Sequence, residues 1–268
     1  MMKAESLFKR LTSQDACLVT VQATRGSVPR EVGAWMAVFD AELLGSIGGG
    51  HLEYQAIAQA RARLSGSPGE PLLRYALGPA LGQCCGGEVH LHFELVGAAD
   101  IDALQLRLAP QRTPLALFGG GHVGQALVRV LAPLPLQLRW IDSRDEIFPT
   151  DLVQHVVTEH SDPVQACVSE LVPASRVLIM SFSHAEDLEV VAACLLRQHQ
   201  HGDLPYVGLI GSKTKWASFS QRLLARGFAA QELSHVTCPI GVDGIFGKEP
   251  EVIAVAVAAQ ILQTLRQG

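Results

Sequence analysis

The sequence predicts an α/β fold in two parts: a strand-rich α+β domain over residues 1–110 and a doubly wound parallel sheet over residues 111–268. Three observations carry this. Period-2 apolar alternation dominates the first part. From Pro114 onward, short apolar runs alternate with helix-period segments, the pattern of a parallel sheet with helices on both faces. The texture changes at "APQRTP" (109–114), a linker by composition.

In chain order, 16–23 is a first strand and 34–39 a second, joined by the loop "TRGSVPREVG". Residues 42–47 lead into the triple glycine 48–50 and a helix over 51–64. "SGSPGEP" (65–71) is a turn, and 72–77 and 88–96 are further strands. In the last of these Val89, Leu91, Phe93 and Leu95 share one face, and His90, His92 and Glu94 the other. A short helix over 100–108 closes the first part. The second part opens with strand 115–118 and a helix running to 131. Strands 137–141 and 155–158, helix 163–171, strand 176–180, helix 186–197, strand 206–210 and helix 215–226 follow. Glu249, Pro250 and Glu251 suit the start of a final helix.

Composition narrows the function classes. The 268 residues are 48% hydrophobic, ample for a packed core. The formal net charge of -5 and the lack of an obvious basic face argue against nucleic acid as a partner. Mean hydropathy is high, at +0.23, yet the apolar stretches fall short of the roughly 20 residues a membrane span needs. Glu5, Lys9 and Arg10 stand where a signal peptide needs apolar residues, so a cytoplasmic protein is expected. The six cysteines contain no C-x-x-C, which speaks against zinc knuckles and thioredoxin chemistry. Only the adjacent pair Cys84 and Cys85 stands apart, on the glycine loop "GQCCGGEV". A thiol flanked by backbone amides there would be stabilised as thiolate; a small residue in a tight turn is the alternative.

The strongest motif is "LFGGGHVGQAL", which spells G-x-G-x-x-G on Gly119, Gly121 and Gly124 between a predicted strand and a predicted helix. Gly119 allows the tight turn, Gly121 lets the backbone approach a phosphate, and Gly124 permits close helix–strand packing. Amides at the helix start then face the anion. The next strand ends in "WIDSR", placing Asp142 18 residues past Gly124, where a ribose-binding carboxylate sits in Rossmann folds, with Arg144 beside it. A hydride-transfer enzyme would also need a positioned proton donor, and none is visible.

Weaker motifs admit two readings each. Arg25 and Arg30 on a Gly/Pro-stiffened loop suit an anion clamp or a solvated hairpin. "GSIGGGHLE" suits an anion site at a helix start or a sharp strand-to-helix turn. Gly211, Ser212 and Lys213, with Lys215 just inside the next helix, suit an anion site or a helix cap. His184 follows a strand end, where open α/β sheets bind ligands, and equally suits a solvent-facing helix start.

Six ordered motifs together resemble the xanthine dehydrogenase accessory proteins of the XdhC/CoxI type: "GSVPREVGAWM", "GSIGGGHLE", "CCGGEVHLHFE", "LFGGGHVGQALVRVLAPLPLQLRWIDSRDEIFP", "YVGLIGSKTKWASFSQRL" and "CPIGVDGIFGKEPEVIAVAVAAQIL". The resemblance covers nearly the whole chain. It implies a non-catalytic chaperone that binds molybdopterin or its molybdenum form, supports sulfuration with a cysteine desulfurase, and delivers the cofactor to apo xanthine dehydrogenase. It also implies a homodimer. Cys85, Gly86 and Gly87 match the family's C-G-G; Gly119, Gly121, His122 and Gly124 match its G-x-G-H-x-G; Gly208 to Lys213 match its G-L-I-G-S-K. There are departures. His51 stands where many relatives have cysteine, and Ser181, Phe182, Ser183 and His184 stand where T-H-S-H is common. The glycine loop would then serve a pterin cofactor or a nucleotide. An NAD(P)-dependent oxidoreductase using the fingerprint and Asp142 is the alternative.

Overall fold

The computed structural model describes residues 2–77, 86–108, 112–152 and 155–265. The chain forms two compact units, Met1–Pro110 and Gln111–Gly268.

In the first unit, helix α1 (Met2–Leu11) precedes β1 (Ala16–Arg25), β2 (Trp35–Val38) and β3 (Leu43–Gly45). Helix α2 (Gly50–Leu64), β4 (Leu72–Ala76), β5 (Glu88–Val96) and α3 (Ile101–Leu108) follow. The five strands form an antiparallel sheet in the order β3-β2-β1-β5-β4. Alternation along β1 splits the core into two layers. Cys17, Val19 and Val21 pack with Leu52, Ala56 and Ala60 of α2. Ala16 and Leu18 pack with Leu7 and Leu11 of α1 and Leu104 of α3.

Helix α1 is not among the elements predicted above, although Leu7 and Leu11 one turn apart carry its signal. The expected face of β5 also breaks at its end. Leu95 is 59% exposed and Val96 is buried, because the cover at that end is the α1/α3 layer on the opposite face.

The second unit contains β6 (Thr113–Phe118), α4 (His122–Leu131), β7 (Leu136–Asp142), β8 (Val156–His160), β9 (Arg176–Ile179) and α5 (His184–His201). It continues with β10 (Tyr206–Leu209), α6 (Lys213–Ala225), α7 (Ala230–Leu233), β11 (Val236–Thr237) and α8 (Pro250–Thr264). All six strands are parallel, in the order β11-β10-β9-β6-β7-β8. This is the doubly wound Rossmann arrangement, with its switch point between β6 and β9. One face is covered by α4 and α8, through Leu127, Leu131, Val257 and Ile261. The other is covered by α5 and α6, through Val191, Cys194, Leu195, Phe219 and Leu223.

Residues 163–171, expected as an α-helix, form a 3-10 helix, Val164–Glu170. Pro163 and Pro173 bracket the segment, and Val164 and Cys167, three apart, are its buried residues together with Val168. Short α7 and β11 are further additions to the predicted elements. No helix among the described residues is long and apolar enough to cross a membrane.

Candidate cofactor-binding crevice

Open α/β sheets bind ligands beyond the carboxyl ends of their strands, at the switch point. Here that point lies between the ends of β6 and β9, and the loop after β6 is the glycine fingerprint. Its glycines have different jobs. Gly119 has φ +121°, and a Cβ there would collide with the Met180 carbonyl at the end of β9. A Cβ on Gly124 would collide with the Gly119 carbonyl, so α4 can approach β6 only with glycine at this point. Gly121 differs: its φ is -67°, and a Cβ would meet nothing within 4 Å. The fold itself makes no steric demand for glycine at 121. A small residue is needed there only if something outside the chain comes close. Gly121 is the N-cap of α4, whose first-turn amides lack intrahelical partners, and His122 is exposed at the helix start.

Asp142 lies at the end of β7, as expected, but its carboxylate is engaged within the protein. It is 1% exposed. Oδ2 accepts from the Gly120 amide at 2.6 Å and from Arg144 Nη2 at 2.9 Å. Oδ1 accepts from the Arg144 amide and Nε, both at 2.8 Å. Four donors match the roughly four acceptor positions of a carboxylate. Burial alone would raise the Asp142 pKa; the hydrogen bonds from Arg144 and Gly120 outweigh it and hold the carboxyl below its usual range. The guanidinium of Arg144 is thereby fixed at the rim. Its side chain is 36% exposed, and its Cζ lies 4.5 Å from the centre of the Phe182 ring.

The turn after β9 supplies the opposite wall. Ser183 caps α5 by accepting from the Glu186 amide at 3.2 Å. The spacing S-x-x-E would let Glu186 reach back to the cap. Instead Glu186 Oε1 accepts from Ser143 Oγ at 3.0 Å, across at the end of β7, and Oε2 is buried without a partner. Ser181 Oγ is buried and unpartnered as well. Asp187 joins this turn to the next: Oδ1 accepts from the Ser181 amide at 2.7 Å and Oδ2 from Lys215 Nζ at 2.6 Å. Lys215 also donates to the Ile210 carbonyl at 2.8 Å. Gly211 and Ser212 have roles inside the chain here. A Cβ on Gly211 would stand 2.6 Å from Lys215 Cδ, and Ser212 caps α6 by accepting from the Lys215 amide. Lys213 is exposed at the start of α6. His184 is exposed at the start of α5, edge-on to Phe219.

Glu186 and Asp187 belong to this turn without being singled out by the sequence patterns above, and Phe182 figures there only as a departure from the family's T-H-S-H. The S-x-x-E cap signature followed by a second acid is the available signal for the two acids.

The first unit gathers three motifs that lie far apart in the sequence. A Cβ on Gly87 would collide with the Ser27 carbonyl and stand 2.6 Å from that of Arg25. One on Gly48 would stand 2.6 Å from Pro29 Cγ. The arginine loop, the triple-glycine turn and Gly86–Gly87 therefore pack together. Cys84 and Cys85 lie outside the described residues. The anion position at the start of α2 is filled from within. Glu53 Oε2 accepts from Ser46 Oγ at 2.7 Å and from the amides of Ile47 and Gly49 at 3.0 and 3.1 Å. Burial would raise the Glu53 pKa, but these hydrogen bonds, led by Ser46, bring it below the usual range. No three His, Cys, Asp or Glu side chains among the described residues are grouped as a metal site.

Comparison with known proteins adds the following. The family model described as the XdhC Rossmann domain matches residues 115–261, and that of the XdhC and CoxI family matches residues 10–76. The molybdenum cofactor insertion chaperone PaoD of Escherichia coli K12 is 25% identical over 94% of this chain and 84% of its own length. The uncharacterized protein YqeB of the same organism is 25% identical over 90% of this chain, which spans only 42% of that longer relative. Among solved structures, a xanthine dehydrogenase from Bacillus halodurans superposes with a TM-score of 0.76 at 19% identity, covering 99% of this chain and 96% of that one. This last likeness bears on the fold alone.

Proposed function

The chain belongs to the XdhC and CoxI family, and on that premise we propose that it is a molybdenum-cofactor carrier without turnover of its own. Gly121 is the observation that carries this reading. Elsewhere the glycine loop is closed by the protein's own packing. At the free amides of α4 it is open, at the one glycine of the fingerprint that the fold does not require. That arrangement suits a phosphate, which molybdopterin bears singly and its dinucleotide form as pyrophosphate. The residues we assign to the cofactor are Gly119, Gly121, His122 and Gly124 of the loop, Arg144 at the rim, and Gly211, Ser212 and Lys213 at the start of α6. Asp142 acts by holding Gly120 and Arg144. In the first unit, the resemblance by itself assigns Cys85, Gly86 and Gly87 to the cofactor, by the family's C-G-G. The relative named as a molybdenum cofactor insertion chaperone supports the same reading.

The finer reading follows the family. The chain, as a homodimer in the cytoplasm, receives cofactor sulfurated with the help of a cysteine desulfurase and passes it to apo xanthine dehydrogenase. A carrier must shield its cargo and still release it to a tighter-binding acceptor; each tenfold difference in affinity is about 1.4 kcal/mol. The competing oxidoreductase reading is disfavoured by Asp142, whose acceptor positions leave none for a ribose diol.

The test is delivery. Protein loaded with molybdenum cofactor is mixed with apo xanthine dehydrogenase, and activity is followed against the amount added. Activation in proportion to loaded protein, saturating near one cofactor per acceptor site, is expected. Steady NAD(P)H consumption with a small carbonyl substrate, and no activation, would overturn the proposal.

A further inference from the structure

Phe182 is 64% exposed on the turn between β9 and α5, at the mouth of the crevice. One isolated exposed aromatic needs no explanation. This one has the Arg144 guanidinium over its ring at 4.5 Å. Arg144 is itself held by two side-chain hydrogen bonds to buried Asp142, which also grips Gly120 of the phosphate loop. The ring is therefore tied, through Arg144 and Asp142, to the fingerprint. The same turn holds two of the three buried, unpartnered polar side-chain atoms among the described residues, Ser181 Oγ and Glu186 Oε2, on either side of Phe182 in sequence. Unpaired buried polar atoms are costly, so their clustering beside an exposed ring calls for a polar partner at this point.

We infer that Phe182 and Arg144 form a stacking platform for the planar ring of a phosphorylated heterocycle whose phosphate lies at the start of α4. The inference deepens the cofactor reading above and rests on it for the identity of the ring, a pterin. Aromatic faces accept any flat π-system, and the guanidinium over the ring adds positive charge to the platform. Arg144 contributes charge, and Asp142 acts as a positioning residue.

The experiment uses the full chain and four probes: molybdenum cofactor, GMP, NADPH and inorganic pyrophosphate. Phe182→Ala is compared with wild type by binding titration, with circular dichroism as a check on the fold; an exposed ring can be removed without opening a cavity. The expected result is a loss of affinity of about tenfold or more for the ring-bearing probe that binds, the size of one aromatic–base stack. Pyrophosphate affinity should be unchanged. Phe182→Trp should restore binding, and its added fluorescence should be quenched by that ring-bearing probe and not by pyrophosphate. Equal affinities in wild type and Phe182→Ala, or no quenching of the added fluorescence in Phe182→Trp, would overturn the platform. If GMP or NADPH binds with this dependence while molybdenum cofactor does not, the platform stands and the carrier reading falls. If wild type binds no ring-bearing probe, both fall.

Discussion

Gly119 and Gly121 are two residues apart in one motif, and the structure separates what each is for. Gly119 serves the fold: its backbone is in the left-handed region, and a Cβ would strike the end of β9. Gly119→Ala should therefore destabilise the second unit by several kcal/mol, the range of overpacking plus a disfavoured backbone, with no ligand present. Gly121 sits at a φ any residue adopts, with open space beyond it. Gly121→Val should change unfolding free energy by less than about 1 kcal/mol and abolish cofactor binding. Denaturant titration and ligand titration on both variants give the four values. A Gly121→Val protein that binds as well as wild type would remove the cradle from the argument.

At the scale of the elements, carboxylates knit the strand-end loops together. Asp142 joins the β6 and β7 ends, Glu186 reaches from α5 to the β7 end, and Asp187 ties the β9 turn to α6 through Lys215. Of these ties, the one at Asp142 is acid-sensitive. Because the Asp142 pKa is held below its unfolded value of about 3.9, its contribution is fully present above that pH and is lost as pH falls through the folded pKa. Asp142→Asn should cost about 1–3 kcal/mol at pH 7 by leaving buried donors poorly matched. The gap to wild type should narrow as pH falls below about 4. Thermal unfolding of both proteins from about pH 7 down to about pH 3 enters that window from above; a gap that stays constant would mean Asp142 does not act as a carboxylate lock.

For the whole molecule, a carrier is stabilised by its cargo. A ligand that binds only the folded state at about 100 times its Kd adds about 2.7 kcal/mol. For domains of this size each kcal/mol shifts Tm by about 2–4 °C. Scanning calorimetry of cofactor-loaded against cofactor-free protein should thus show a rise of about 5–10 °C. The same comparison on Gly121→Val should show none. A loaded wild-type protein that melts where the free one does would argue that the cofactor is not held in the native state.

Local chemistry is enough to read much of this protein from its sequence. The glycine spacing between an apolar run and a helical stretch marks the strand-to-helix turn of the Rossmann unit, since turn geometry and helix packing act over a few residues. Alternating strand and helix periods mark the parallel sheet, and the order of six motifs marks the family. Other features depend on what is packed opposite. The sequence places Asp142 at the end of its strand, but only tertiary structure brings Gly120 and Arg144 onto its oxygens. "GSIGGGHLE" is balanced between anion site and turn until Glu53 is seen to fill its own nest. Leu95 and Val96 exchange burial because the layer covering one face of β5 ends before the strand does. Phe182 shows in the sequence only as a departure from the family's T-H-S-H; its contact with Arg144, 38 residues earlier in the chain, is visible only in the fold. Sequence periodicity reports which side of an element is apolar. Which partner meets that side, and which polar atoms are already spoken for, is decided only when distant segments are brought to within a hydrogen bond of each other.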